Sequence, residues 1–122
     1  MKKIYLASPY LHKDPKVMEK RFHAVCEAAG KLIKQGHLVY SPIAHSHSIA
    51  VRCELPKDWE FWQRVDREYI KWVDEVQVLC LPGWEESTGI ENEIKIAKEL
   101  EKPVWYWLPE VNLQKAAEGD PW

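Results

Sequence analysis

Cysteine is scarce in this chain of 122 residues, and its spacing excludes two common classes of small protein. The three cysteines, Cys26, Cys53 and Cys80, are odd in number, lie far apart and contain no Cys-x-x-Cys pair. A small disulfide-stabilised scaffold needs an even set of cysteines, and a zinc knuckle needs closely paired ones. We therefore expect a protein of a reducing compartment and predict a cytoplasmic location.

The sequence also lacks a long hydrophobic run. Its longest apolar stretches, Val76–Pro82 and Val104–Pro109, have the length of a strand, whereas a membrane-spanning helix needs about 20 apolar residues. The segment after Met1 reaches Pro9 and charged residues too early for a secretory signal. These absences predict a soluble protein with no membrane partner.

A strong excess of charge of either sign is missing too. Lysine and arginine number 17, aspartate and glutamate number 19, and the formal net charge is −2. A broad basic face is therefore excluded, and we expect no duplex nucleic-acid partner. Hydrophobic residues make up 46% of the chain, which is enough for one core, so residues 1–122 are predicted to form a single domain.

What the sequence does contain is an alternation of strand-like and helix-like segments. Apolar runs of strand length are separated by stretches in which apolar residues recur every three or four positions. The segment from 43 to 57 fits neither pattern and is expected to be an irregular loop. Parallel strands joined by crossover helices explain this order. We predict an α/β fold, a small flavodoxin-like or Rossmann-like three-layer sandwich with a parallel sheet of about four strands: 4–7, 38–41, 76–81 and 104–108.

Several polar or glycine-containing loops follow the carboxyl ends of these strands. In parallel sheets, ligands bind beyond those ends. The first strand is followed by Ser8, Pro9 and Tyr10, the second by residues 41–47, and the third by residues 82–89. We therefore expect these loops to form a small-molecule site together.

The segment from 82 to 93 is the richest of the loops. It contains Gly83 and Gly89 and a hydroxyl cap, Ser87, directly before a helix. Unpaired backbone N–H groups at such a helix start suit a phosphate or sugar oxygen. The segment matches neither the dinucleotide-binding fingerprint nor the P-loop, so an ordinary capped helix remains the alternative.

Three carboxylates and one tryptophan have two interpretations each. Glu93 borders the buried stripe of the helix that follows Ser87, where it is either a catalytic group or a solvated surface charge. Asp66 and Asp74 are eight residues apart and are either site residues or ordinary helix-surface and helix-end charges. Trp84 either stacks on a bound base or packs within its loop.

His45 and His47 form the second candidate group. They could bind a metal ion with a third ligand such as His12 or His37, contact a substrate, or be ordinary hydrogen-bonded loop residues. Because no cysteine or carboxylate lies at a recognised ligand spacing, we predict no metal and no cofactor.

The order of these motifs resembles the nucleoside 2-deoxyribosyltransferase-like superfamily, in particular a small, functionally uncharacterised branch of it. The similarity extends from Lys3 to Leu108. It is carried by the following residues in order: Ile4-Tyr5-Leu6-Ala7-Ser8-Pro9-Tyr10, then Asp66 and Asp74, then Leu81-Pro82-Gly83-Trp84-Glu85 with Ser87, Gly89, Glu93 and Ala97, and finally Lys102-Pro103-Val104.

The resemblance implies an enzyme that transfers or hydrolyses the ribosyl or deoxyribosyl group of a nucleoside or nucleotide. The family's nucleophilic glutamate corresponds to Glu93, and its strand-one tyrosine to Tyr5. Its carboxylates that contact the sugar or protonate the base correspond to Asp66 and Asp74. A carboxylate nucleophile suits the oxocarbenium-like transition state of such a reaction.

The same resemblance implies a 5′-phosphate site at Ser8 and Ser87, but two departures oppose it. Nucleotide-hydrolysing members carry a loop with glycine and arginine after strand one, whereas this chain has Pro9 and Tyr10. A family glycine two residues before the nucleophile is replaced by Glu91, which would repel an anion.

Two other functions remain open at this point: a non-catalytic nucleotide-binding or sensing module, and a metal-dependent hydrolase built on the histidines. We also expect a homo-oligomer, either a dimer or a tetramer. Trp105, Trp107 and Trp122 would otherwise leave an apolar patch at the end of the chain.

Overall fold

Four parallel strands form the centre of the protein in a computed structural model, which describes residues 1–108. The strands are β1 (Lys3–Ala7), β2 (Leu38–Tyr40), β3 (Glu75–Leu79) and β4 (Val104–Trp107). Their order in the sheet is β2-β1-β3-β4, and every pairing is parallel. The carboxyl ends of all four strands therefore meet at one edge of the sheet, with β1 and β3 in the middle.

Four helices connect or follow these strands. They are α1 (Pro15–Lys34), α2 (Pro42–Cys53), α3 (Trp59–Trp72) and α4 (Thr88–Glu99), and a 3-10 turn at Trp84–Glu86 precedes α4. Asp14, Ser41 and Ser87 cap α1, α2 and α4 by accepting a backbone N–H with the side chain. Such caps satisfy a donor that the first turn leaves unpaired.

Side chains of the sheet alternate between two apolar layers. Tyr5 and Val76 point to the side that α3 and α4 cover, where they pack with Ile70 and Ile90. Ile4, Leu6 and Leu79 point to the other side and pack against α1. The expected α/β three-layer sandwich with a parallel sheet of four strands is confirmed.

The segment from 43 to 57 is not the irregular loop that its sequence suggests. Most of it is α2, which Ser41 caps and Pro42 opens. Proline is well suited to the first position of a helix, because its missing N–H would be unpaired there anyway. In the sequence, Pro42 was interpreted only as the end of β2, and the helix was therefore missed. Glu54, with φ 53°, ends it in a left-handed conformation.

The predicted apolar patch near the chain end is described only in part. Trp105 is exposed, and Trp107 is half-buried against the α1 side of the core. Trp122 lies outside the described residues, and the homo-oligomer stays a prediction. None of the helices within residues 1–108 has both the length and the apolar character required to cross a membrane.

Leu6→Ala tests whether the α1 side of the core carries the stability of the sheet. Leu6 is fully buried in the central strand β1, so its truncation should lower the free energy of unfolding by about 2–5 kcal/mol. The measurement is urea denaturation followed by circular dichroism.

The matched control is Leu38→Ala in the edge strand β2, where the leucine is 44% exposed. This change should cost less than about 1 kcal/mol, because the side chain already contacts water. Equal losses for the two variants would contradict the assignment of the core.

Candidate active site

A cleft of about 520 Å³ lies at the carboxyl edge of the sheet. Its walls come from the loop after β1, from α2, from the start of α3 and from the segment that enters α4. This is where the order of the strands predicts a ligand site. Of the residues singled out in the sequence, those that line the cleft are Ser8, Tyr10, His47, Asp66, Ser87, Gly89 and Glu93.

Glu93 is the centre of this group. It lies on α4 and is only 4% exposed, yet its carboxylate reaches the cleft. The hydroxyl of Tyr5, a fully buried residue of β1, donates a hydrogen bond to Glu93 Oε2. A Cβ at Gly89 would lie 3.9 Å from Glu93 Oε1. Because Gly89 has no Cβ, the space beside Oε1 stays free.

Asp66 places a second carboxylate in the same region. It lies on α3, is 5% exposed and lines the cleft with Glu93. Burial raises the pKa of Asp66 to about 7. Burial, together with the charge of Asp66, also raises the pKa of Glu93 well above its usual value, while the bond from Tyr5 opposes this shift. The two carboxyl groups therefore favour sharing one proton over ionising together.

Two polar atoms in the cleft have no hydrogen-bond partner among the described residues. They are Ser8 Oγ and Asp66 Oδ1, and both side chains are buried. Leaving a buried polar group unpaired costs about 1–3 kcal/mol. Both residues line the cleft, so these two atoms lie next to the space in which a ligand would bind.

His47 lines the cleft, but His45 does not. The Tyr10 hydroxyl lies 2.6 Å from His47 Nδ1. His45 is exposed, and its Nδ1 lies 3.1 Å from Ser46 Oγ. Within residues 1–108, no three side chains of the His, Cys, Asp and Glu types come together as a metal site would require. The histidine pair therefore has no third ligand there.

Gly83 and Trp84 lie outside the cleft lining, which corrects the idea that Trp84 stacks on a base. Its ring packs 5.6 Å from Tyr106 of β4 and against the core. Gly83 has a φ of +88°, and a Cβ there would lie 2.6 Å from Arg21 Nη2. Gly83 therefore allows this turn and lets the guanidinium of Arg21 lie close to the backbone. Pro9 is buried and does not line the cleft either.

Arg21 joins two of the loops that form the cleft. Its guanidinium donates to the backbone oxygens of Tyr10 and Leu11 after β1, at 3.4 and 3.2 Å. It also donates to the backbone oxygen of Pro82 after β3, at 3.1 Å. Nothing in the spacing of Arg21 along α1 points to this role.

Asp74 is absent from the site, which corrects its expected role. It precedes β3 and therefore lies at the amino edge of the sheet, opposite the cleft. There its Oδ2 accepts a hydrogen bond from the backbone N–H of Lys3 at 2.8 Å. The seven residues between Asp66 and Asp74 include the end of α3, so the two side chains are separated.

The sequence argument missed two aromatic residues of the cleft, Trp59 and Trp62, and the lysine before them. Both tryptophans lie in the first turns of α3. Trp62 is held by a hydrogen bond from its Nε1 to the backbone oxygen of Pro56, at 2.7 Å. Their helical periodicity is typical of side chains that pack in the core or at a subunit contact. A helix that starts at the cleft, however, presents its first turn to the ligand. Lys57 lines the cleft as well.

The comparisons with known proteins agree with this architecture. A family model described as "Domain of unknown function (DUF1937)" matches residues 2–108. The chain belongs to the DUF1937 family. A solved structure of a 2-deoxyribosyltransferase from the psychrotolerant bacterium Bacillus psychrosaccharolyticus is also similar. It is 29% identical, with a TM-score of 0.58, and the match covers 85% of this chain and 70% of that one.

These matches confirm the resemblance of this DUF1937 chain to the nucleoside 2-deoxyribosyltransferase-like superfamily. That 2-deoxyribosyltransferase is described as a suitable biocatalyst for the industrial synthesis of antiviral and antitumoral nucleosides. A search of curated proteins found no match.

Asp66→Asn tests the cost of burying two carboxylates at the site. In the folded protein Asp66 keeps its proton up to about pH 7, whereas in the unfolded chain it loses the proton near pH 4. The folded state therefore binds more protons between these values, and wild-type stability should fall as the pH rises. The variant lacks this loss, so its stability relative to wild type should rise by roughly 4 kcal/mol between about pH 4 and pH 8.

Urea denaturation at several pH values measures this difference. Asp74→Asn is the matched control, because Asp74 is exposed. It should show no comparable gain with rising pH. A gain of the same size in the control, or none in Asp66→Asn, would contradict the effect of burial on Asp66.

Proposed function

We propose that this chain cleaves the N-glycosidic bond of a nucleoside by way of a covalent bond between Glu93 and the sugar. The observation that carries the proposal is the buried Glu93 carboxylate, held by the Tyr5 hydroxyl beside Asp66 at a cleft. The likeness to a 2-deoxyribosyltransferase supports a nucleoside deoxyribosyl-transfer role at the level of the family.

Glu93 is suited to act as the nucleophile. Tyr5 binds Oε2, and Oε1 lies beside the open Cα of Gly89. We infer that Oε1 attacks the anomeric carbon, forms a carbon–oxygen bond and displaces the base as the carbon–nitrogen bond breaks. A carboxylate stabilises the positive charge that develops on the sugar before this bond is complete. Tyr5 positions the carboxylate and holds it in one rotamer.

Asp66 is suited to supply the proton that the leaving base needs. Burial raises its pKa to about 7. Because the two buried carboxyl groups favour sharing one proton, the proposal places that proton on Asp66 and leaves Glu93 ionised under the hydrogen bond from Tyr5. The reverse transfer, from an incoming base or a water molecule back to Asp66, accompanies release of the sugar from Glu93. An incoming base gives deoxyribosyl transfer, and water gives hydrolysis. The similar structure is a transferase, which favours the first outcome.

The sugar is expected to bind through the unpaired polar atoms of the cleft. Ser8 Oγ and Asp66 Oδ1 are buried and have no partner within residues 1–108, and both residues line the cleft. We expect a side-chain rotation to bring each oxygen to a ribosyl hydroxyl. Ser87 already accepts the backbone N–H of Ile90, at 3.2 Å, as the cap of α4. Its hydroxyl hydrogen can still be donated to a sugar oxygen.

The charges of the cleft favour a free nucleoside over a nucleotide. Among the described residues that line it, one is a lysine, Lys57, whereas five are carboxylates: Asp58, Glu60, Asp66, Glu86 and Glu93. The nearby guanidinium of Arg21 is already engaged by three backbone oxygens. A 5′-phosphate would therefore meet a largely negative surface.

Glu93→Gln tests the nucleophile. Glutamine retains the shape and can accept the hydrogen bond from Tyr5, but it cannot form the covalent bond to the sugar. The rate of base release should fall at least about a hundredfold, a loss of about 3 kcal/mol of transition-state stabilisation. Chromatography of the free base released from a panel of nucleosides measures the rate.

Glu91→Gln on the same helix is the matched control. Glu91 is exposed and pairs with Lys95 at 3.5 Å, so its replacement should leave the rate within about twofold. The proposal fails if Glu93→Gln keeps near-native activity, or if no labelled sugar becomes attached to the wild-type protein.

The choice between nucleoside and nucleotide has its own test. Calorimetry of Glu93→Gln with one nucleoside and its 5′-monophosphate should show weaker binding of the monophosphate, by about fivefold or more, because of the carboxylates. Lys57→Ala should widen this difference. Tighter binding of the monophosphate would instead place a phosphate at Ser8 and Ser87.

A further inference from the structure

The α2 wall of the cleft contains a chain of hydrogen bonds that the proposed chemistry does not use. The Tyr10 hydroxyl lies 2.6 Å from His47 Nδ1, and His47 Nε2 lies 2.9 Å from Glu19 Oε1. Tyr10 and His47 line the cleft, whereas Glu19 lies on α1 with its side chain 54% exposed. The chain therefore runs from solvent to the surface that a ligand touches.

The imidazole of His47 is held in one orientation. Its side chain is 10% exposed, and the Phe22 ring stacks on it with centroids 4.3 Å apart and an angle of 26°. The Tyr10 ring meets it edge-on at 5.5 Å and 83°. A ring fixed on two sides cannot turn to exchange its nitrogens.

The partners of His47 assign its hydrogen. An ionised carboxylate only accepts, so the bond to Glu19 requires a hydrogen on His47 Nε2. With one ring hydrogen, placed on Nε2, Nδ1 is an acceptor and the Tyr10 hydroxyl donates to it. The remaining lone pair of the Tyr10 oxygen is left to accept a hydrogen bond from a ligand in the cleft.

The order of the strands separates two sides of the cleft. Ser87 and Thr88 line it from the β3 side, where hydroxyl-bearing residues suit a sugar. The α2 helix follows β2 on the other side and contributes apolar groups, with Ile43 among them. A flat, largely apolar base suits that side, which His47 shares.

We propose that Glu19 and His47 orient the Tyr10 hydroxyl as an acceptor, so that the site selects nucleosides whose base presents an amino group. This inference rests on the proposed function, because it takes the ligand to be a nucleoside. Tyr10 is the specificity residue, and His47 and Glu19 are positioning residues that act through it.

The test compares two ligands that differ only in the amino group. These are 2′-deoxyadenosine and the same nucleoside with unsubstituted purine as its base. Their dissociation constants are measured by calorimetry in the Glu93→Gln background, where turnover does not interfere. The amino compound should bind about fivefold tighter, which corresponds to one net hydrogen bond.

Three further changes in that background separate specificity from general damage. Tyr10→Phe removes the acceptor, so the two nucleosides should then bind with about equal affinity. Glu19→Ala removes the acceptor that keeps the hydrogen on His47 Nε2, and the preference for the amino nucleoside should fall below about twofold. His23→Asn is the control, because His23 Nε2 lies 3.5 Å from the other oxygen of Glu19 and does not contact Tyr10. It should retain the full preference.

Each outcome has a distinct meaning. A preference that is lost in Tyr10→Phe and Glu19→Ala but kept in His23→Asn supports the inference. Equal affinity of the two nucleosides in the parent protein overturns it and leaves the proposed function intact. A preference that survives Tyr10→Phe also overturns it. Failure to bind any nucleoside overturns both the inference and the proposed function.

Discussion

The hydrogen bond from Tyr5 to Glu93 is the interaction on which the site depends. A carboxylate within a helix can be buried only where a donor compensates its lost hydration. Tyr5 supplies that donor from the central strand, and its own position is fixed by the register of β1 between β2 and β3. Asp66 adds a second carboxyl group nearby, so the protonation state of the site depends on Asp66 and Glu93 together.

The parallel sheet explains why so many elements reach one cleft. Each strand ends at the same edge, so the loop after β1, the start of α2 and the start of α4 lie next to one another. Serine caps at Ser41 and Ser87 let two of these helices begin close to that edge. The sheet side of the cleft is thus built from short, hydrogen-bonded segments, while α3 adds aromatic rings.

The strands and most of the helices were predictable from the sequence, because apolar residues are spaced differently in a strand and in a helix. A capping side chain followed by proline marks the start of α1 at Asp14 and Pro15, and that of α2 at Ser41 and Pro42. The second start was missed because the run His45-Ser46-His47-Ser48 interrupts the apolar spacing of α2. Pairing Tyr5 with Glu93 from spacing alone was out of reach, since 88 positions separate them. Asp74 shows a different kind of error. It occurs in the expected order along the chain, yet it precedes β3 and therefore lies at the edge of the sheet opposite the cleft.

The three bonds of Arg21 have a consequence for the lengths of the loops. One guanidinium spans the loop after β1 and the loop after β3, and a planar fork tolerates little change in the positions of its acceptors. An insertion or deletion in either loop would pull one set of carbonyls out of reach. Relatives with a longer first loop should therefore carry a compensating change in the third, or another residue in place of this arginine.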